Sequence, residues 1–177
     1  MDQKERLNAL EVALNNETKE REFYLKNAGR TKNPLGKIMF KQIGDEELEH
    51  YDRLKQLHAE WEKRGTWPET LPLFVKDTAV KNALATFMQK IDKSGDVVSD
   101  VDDLDAVRTA IEFEAKGSAF YARLRDGVTD KKEKEFFGLM AAIEREHYLS
   151  LKSLEEYFVD PASWYRAKEH HTLDAGG

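Results

Sequence analysis

The segment DEELEHYDRL at residues 45–54 decides the fold, because the similar segment IEREHYLSL occurs at residues 143–151. Each segment contains Glu-x-x-His, first as Glu47 and His50 and again 97 residues later. Residues three apart lie next to each other on one face of a helix. Two such motifs at a fixed offset predict that a helical unit has been duplicated within the chain.

The correspondence at an offset of 97 residues extends through both halves of the chain. The matched positions upstream are Leu7, Leu10, Leu14, Glu17 and Tyr24 with Leu104, Val107, Ile111, Glu114 and Tyr121. Around the two motifs they are Phe40, Ile43, Leu54, Leu57 and Trp61 with Phe137, Met140, Leu151, Leu154 and Phe158. The unit that is repeated is therefore a helical hairpin, and the two hairpins are expected to be related by an approximate two-fold axis.

Helical periodicity predicts four long helices, over residues 3–29, 35–64, 102–127 and 130–158. Short connections make each consecutive pair an antiparallel hairpin, spanning 3–64 and 102–158. The connection 65–101 is long enough to run the length of the bundle, with a short helix from about 77 to 91. The sequence thus predicts an all-α, up-down-down-up four-helix bundle with one long crossover. This domain covers 1–160, and a short C-terminal helix or tail follows at 161–177.

Composition excludes several classes of protein. The chain has no cysteine, so disulfides, thiolate metal sites and iron–sulfur clusters are excluded. Its net charge of -6 comes from interleaved acidic and basic residues, which does not indicate a nucleic-acid partner. It contains neither a signal-like apolar segment nor about 18 consecutive apolar residues, so we expect a cytoplasmic protein without membrane association.

Six polar residues interrupt the apolar faces of the four helices: Glu17, Glu47, His50, Glu114, Glu144 and His147. Burying several unpaired carboxylates would cost more than a domain's total stability of about 5 to 15 kcal/mol. Two divalent cations would balance four carboxylates. One Glu from each of two helices and a Glu-x-x-His from the other two form the ligand set of di-iron carboxylate bundles. The sequence predicts two iron ions per chain, with manganese or zinc as substitutes.

The residues around these ligands resemble those of the rubrerythrin and bacterioferritin branch of the ferritin-like superfamily. The similar segments are ETKEREFYLKNA, DEELEHYDRL, EAKGSAFYARL and IEREHYLSL, with PASWYRAKEHHTLDAGG at the end. The resemblance implies a diferrous site that reacts with hydrogen peroxide or dioxygen and becomes diferric. It also implies that Tyr24 and Tyr121 support catalysis by donating hydrogen bonds to ligand carboxylates.

Three departures from the family pattern affect what the resemblance implies. Rubrerythrins usually have a second Glu one turn after the ligand of the third helix, where this chain has Gly117. A rubredoxin domain is missing because there is no cysteine, so an external electron donor such as a rubredoxin-type protein would be needed. Leu48 stands within the motif where bacterioferritins place a haem-binding Met, so haem is not expected.

Three functional hypotheses follow. The first is an oxidoreductase, expected to be a homodimer, that reduces hydrogen peroxide or dioxygen in defence against oxidative stress. The second is a ferroxidase or iron-binding or storage protein, and the third is a bundle in which metal serves only as structural support. The two halves are also expected to differ. Glu46 can serve His147, whereas its counterpart Ile143 offers His50 no polar group. Gly117 should also leave space near the half-site of Glu17, Glu47 and His50, which is predicted to be the looser one and the side that oxidant or an incoming iron approaches.

Overall fold

The computed structural model describes residues 1–68, 78–90 and 101–174, and the side chains of these residues apart from 88–90 and 168–174. The helices within these ranges are Gln3–Arg30 (α1), Pro34–Arg64 (α2), Val80–Lys90 (α3), Val101–Gly127 (α4), Lys131–Val159 (α5) and Pro161–Asp174 (α6). The four long helices are those predicted, and each bound differs by at most one residue. The parts of the predicted crossover at 69–77 and 91–100 lie outside the described residues.

The long helices begin and end where side chains or turns satisfy the terminal backbone groups. At the start of α1, Asp2 accepts a hydrogen bond from the Glu5 amide, and the Glu5 side chain accepts one from the Asp2 amide. Asn33 similarly accepts from the Gly36 amide at the start of α2. Gly65 ends α2 with φ of 65°, a left-handed conformation that glycine adopts without steric cost. These ends leave short turns, so α1 packs antiparallel against α2.

Two buried apolar clusters fix the directions of the four long helices. The first cluster includes Ala28, Met39, Phe40, Val107, Leu151 and Leu154. The second cluster includes Leu10, Ala13, Leu54, Leu57, Leu124 and Phe137. Along the sequence, α1 and α5 pass from the second cluster to the first, whereas α2 and α4 pass from the first to the second. The order is therefore up-down-down-up, and the predicted fold class is confirmed.

The remaining two helices cover the outside of the bundle. Helix α3 packs against α2 and α5, where Phe87 is buried and its ring lies 6.2 Å from that of Tyr157. Helix α6 packs against α5, and the Trp164 indole N–H donates to the Ser153 hydroxyl at 2.9 Å. The C-terminal segment thus begins with a helix that returns to the bundle. None of the described helices has the length and apolar character needed to cross a membrane.

Candidate metal centre

The six predicted ligands meet in a polar layer between the two apolar clusters. Each of the six is at most 1% exposed to solvent. Their ligand atoms form two groups, and within each group the atoms lie within 4.8 Å of one another. The groups are Glu17, Glu47, His50 and Glu144, and Glu47, Glu114, Glu144 and His147. Glu47 and Glu144 belong to both groups, so each is placed between two prospective ion positions.

The first group is arranged around one nitrogen of His50. Its Nδ1 lies 3.1 Å from Oε2 of Glu47 and 3.2 Å from Oε2 of Glu17. Oε1 of Glu144 lies 3.6 Å from the same nitrogen. Three carboxylates from three different helices therefore converge on one imidazole nitrogen.

The second group has the same organisation around His147. Its Nδ1 lies 3.4 Å from Oε2 of Glu114, 3.5 Å from Oε1 of Glu47 and 3.9 Å from Oε2 of Glu144. The two imidazole rings are close to parallel, with an angle of 20° and centroids 6.0 Å apart. The Nδ1 atoms of both histidines thus point toward carboxylates that the two groups share.

Several atoms of this layer have no hydrogen-bond partner among the described residues. They are Oε2 of Glu17, Oε1 of Glu47, Oε2 of Glu114, both carboxylate oxygens of Glu144 and Nδ1 of His147. A buried polar atom without a partner is costly, and a buried charge without one costs several kcal/mol. Carboxylate oxygens and imidazole nitrogens in this proportion suit iron, manganese or zinc. The donor set therefore fits a pair of divalent cations.

Protonation compensates part of the buried charge when no cation is bound. Burial, reinforced by the charge of Glu47, raises the pKa of Glu17 to about 8. Burial and the same neighbour raise the pKa of Glu144 well above its usual value. For His50, burial alone would lower the pKa, but Glu47 and Glu17 outweigh it and raise the value to about 10. A cation that binds here must displace protons, so metal binding is linked to pH.

Two buried tyrosines connect the hairpins next to the ligand layer. The hydroxyl of Tyr24 on α1 donates to Oε1 of Glu114 on α4. The hydroxyl of Tyr121 on α4 donates to Oε1 of Glu17 on α1. Each tyrosine thus holds one oxygen of a carboxylate on the opposite helix. In each carboxylate the other oxygen, Oε2, lies near the histidine of its group.

Glu46 turns inward and contacts His147, the ligand that it was predicted to serve. Its Oε2 lies 2.7 Å from Nε2 of His147, and its Oε1 accepts from the Ala79 amide at 2.9 Å and from Gln42 at 2.8 Å. Burial alone would raise the pKa of Glu46, but the hydrogen bond with His147 dominates and lowers it to about 2. The equivalent residue in the other half, Ile143, is buried and has no polar group. The predicted contact between Glu46 and His147 is present, and the looser binding of metal in the other half-site stays a prediction.

Replacing Glu46 by glutamine is expected to weaken the binding of one of the two ions by about 10- to 100-fold, because the partner that orients a histidine ligand contributes about this much. Anaerobic calorimetric titration with Mn²⁺ would measure the two affinities separately. The exposed Asp45 supplies the control, since Asp45→Asn removes the same charge from the adjacent position. Equal behaviour of the two variants would contradict a role for Glu46 in positioning His147.

One acidic residue near the site was missed by the sequence reasoning. Glu20 is partly buried, one turn after Glu17, beside a cleft of about 320 Å³ between α1 and α4. Burial, together with the charges of Glu47 and Glu114, raises its pKa to about 10. Two features of the sequence could have indicated Glu20: it lies three residues after Glu17, on the same side of the helix, and it corresponds to Gly117 in the repeat.

Comparisons with known proteins agree with this architecture. A protein-family model described as Rubrerythrin matches residues 8–155. Among solved structures, a hypothetical protein from Pyrococcus furiosus is 22% identical with a TM-score of 0.63, and the alignment covers 88% of this chain and 90% of that one. At that level of identity the structural similarity shows the fold alone. A search of curated proteins finds no match to the chain.

Proposed function

The chain belongs to the rubrerythrin family, and we propose that it is a di-iron oxidoreductase that reduces hydrogen peroxide or dioxygen with electrons from an external donor. One observation carries this proposal. Four carboxylates and two imidazoles from four helices are buried together, and six of their polar atoms have no hydrogen-bond partner among the described residues. The family match and the donor set both support iron as the metal.

The side chains of the site would have different roles in binding two ions. Glu47 and Glu144 belong to both groups and would hold the ions at a fixed separation. Tyr24 and Tyr121 fix the carboxylates of the opposite helix, so fewer conformations of these carboxylates must be ordered on binding. A bound ferrous pair supplies the two electrons that, with two protons, reduce one molecule of hydrogen peroxide to two of water. The apolar clusters on both sides limit access of bulk water to this layer.

The second candidate function is iron oxidation and binding without a reducing partner. Gly117 favours this candidate, because it stands where rubrerythrins usually have a second Glu on this helix. Helix α4 therefore provides one carboxylate fewer than in those proteins. The two candidates share the metal site and differ in what happens after the iron has been oxidised. An oxidoreductase returns to the ferrous state with donor electrons, whereas an iron-storage protein retains the oxidised iron and accepts more.

The experiment that tests the proposal loads the protein with Fe²⁺ under anaerobic conditions and mixes it rapidly with hydrogen peroxide or dioxygen while near-ultraviolet absorbance is recorded. With excess reduced rubredoxin as donor, we expect continued consumption of oxidant at a rate on the order of 1 to 10 per second. The Glu144→Gln variant, which lacks a shared carboxylate, is the control and should show no turnover. A single round of oxidation followed by uptake of many further irons would favour storage, and no reaction at all would favour a structural metal.

A further inference from the structure

The cleft between α1 and α4 reaches the ligand layer at Gly117. A Cβ atom at this position would lie 3.3 Å from Oε2 of Glu144 and 3.4 Å from its Cδ. Because glycine has no side chain, the cleft approaches this carboxylate more closely than any other residue there would permit. Glu144 is 1% exposed, and neither of its oxygens has a hydrogen-bond partner among the described residues. The inner end of the cleft thus adjoins a buried carboxyl group whose oxygens have no hydrogen-bond partner among the described residues.

Glu20 lies in the same cleft, on the side of α1. It follows Glu17 by three residues, which places it about 60° around the helix from that ligand. It belongs to neither group of converging ligand atoms, yet its carboxyl group lies close enough to Glu17, Glu47 and Glu114 to be affected by their charges. It is also partly exposed, unlike the six ligands. Glu20 therefore occupies a position between solvent and the ligand layer.

We propose that the cleft between α1 and α4 is the route by which a divalent cation enters the site, and that Glu20 is the ligand that receives the cation and passes it to Glu144 and Glu17. This inference rests on the proposed function, since it requires a metal site at the end of the route. Glu20 would thus serve as a transient carboxylate ligand on α1, opposite Gly117 on α4, which has no side chain.

The charges around the cleft are compatible with the passage of a cation. Three exposed cations lie at its outer edge, Lys19, Lys116 and Arg123, and Nζ of Lys116 lies 3.3 Å from Glu112. Exposed charges are screened by salt over about 10 Å, whereas buried charges are screened much less. The interior presents the carboxyl oxygens of Glu20 and, beyond it, those of the ligand layer, which are atoms of the type that divalent cations take as ligands. These oxygen ligands, and not a net negative charge, make the cleft a suitable route for a divalent cation.

Stopped-flow mixing with Co²⁺ tests the route without redox chemistry, because bound Co²⁺ is detected by its visible absorbance. Glu20→Gln is expected to lower the second-order rate constant of uptake about tenfold, because a carboxyl group can release its proton and bind the cation as an anionic ligand, whereas an amide cannot. At equilibrium the variant should still bind two Co²⁺ per chain, as the wild type does. Glu22→Gln is the matched control, since Glu22 is exposed on the same helix and the change from a carboxyl group to an amide is the same. The control should keep the wild-type rate.

Gly117→Ala provides a second variant, which changes the shape of the cleft and leaves Glu20 in place. Its Cβ would narrow the cleft against Glu144, so uptake should again be slowed while two ions remain bound at equilibrium. An uptake rate for Glu20→Gln equal to that of wild type would overturn the proposed route. So would the loss of one ion from Glu20→Gln at equilibrium, since Glu20 would then be a permanent ligand. A wild-type protein that binds no Co²⁺ would instead defeat the proposed metal site itself.

Discussion

Replacing Glu47 by alanine is expected to lower the metal content from two ions per chain to none. Glu47 is fully buried and belongs to both groups of ligand atoms, with its two oxygens 3.1 Å from Nδ1 of His50 and 3.5 Å from Nδ1 of His147. Its loss removes a ligand from both ions. Even partners outside the ligand set contribute about 10- to 100-fold in affinity, so a shared ligand should contribute at least about 100-fold. Elemental analysis after anaerobic Fe²⁺ loading and desalting measures the effect.

Two neighbouring acids serve as controls for the Glu47 variant. Glu49 precedes His50 and Glu146 precedes His147, so each lies about 100° around its helix from the ligand. Both are partly exposed, and Glu146 forms an ion pair with Lys81. Glu49→Ala and Glu146→Ala should therefore retain two ions. If these variants lost metal to the same extent as Glu47→Ala, the assignment of helix faces would be wrong.

Removal of the metal is expected to lower the melting temperature by about 10 to 20 °C. Each ion at 100 times its dissociation constant stabilises the folded state by about 2.7 kcal/mol, so two contribute about 5 kcal/mol. In a protein of this size, each kcal/mol shifts the melting temperature by about 2 to 4 °C. Scanning calorimetry with and without a chelator measures the difference. Glu144→Gln should melt at the same temperature in both conditions, and a wild-type protein that did so would contradict a stabilising metal pair.

The stabilisation by metal should be larger at pH 8 than at pH 6. The pKa of Glu17 is about 8 in the folded, metal-free protein and 4.5 in the unfolded chain. The protonated carboxyl group therefore stabilises the metal-free protein fully below pH 4.5, and this stabilisation is lost as the pH rises through 8. The raised pKa of His50, about 10 against 6.5, acts in the same direction between pH 6.5 and 10. The metal-free protein therefore loses stability with rising pH, while cations compete with fewer protons. A difference in melting temperature that is independent of pH would show that these groups do not hold the metal.

Much of the fold could be predicted from the sequence because helical periodicity and end signals act locally. The positions of Leu10, Leu54 and Phe137 on apolar faces, and of Gly65 after a long helix, were sufficient to place the helices. The buried convergence of the six candidate ligands could be predicted for the same reason, since a polar residue within an apolar face is conspicuous. Their duplication then identified the set as a unit.

The contacts that sequence reasoning did not find depend on how the helices face each other. The spacing of Tyr24 from Glu17 shows that both lie on one side of α1, but only the packing reveals that Tyr24 donates to Glu114 on α4. Glu20 lies at the edge of the apolar face, where a charged residue normally faces solvent. Glu46 was expected to serve His147, but its second contact, with the amide of Ala79 just before α3, was not predicted. None of these neighbours is specified by the periodicity of a single helix.

Anomalous diffraction from crystals loaded with Mn²⁺ tests the metal centre most directly, since it locates each ion independently of any activity. The expected result is two peaks per chain, about 3 to 4 Å apart as in other two-metal sites. Both should lie between Glu47 and Glu144, one adjoining Nδ1 of His50 and the other Nδ1 of His147. A single peak, no peak in this layer, or two peaks that do not share Glu47 and Glu144 would contradict the assignment of a paired metal site.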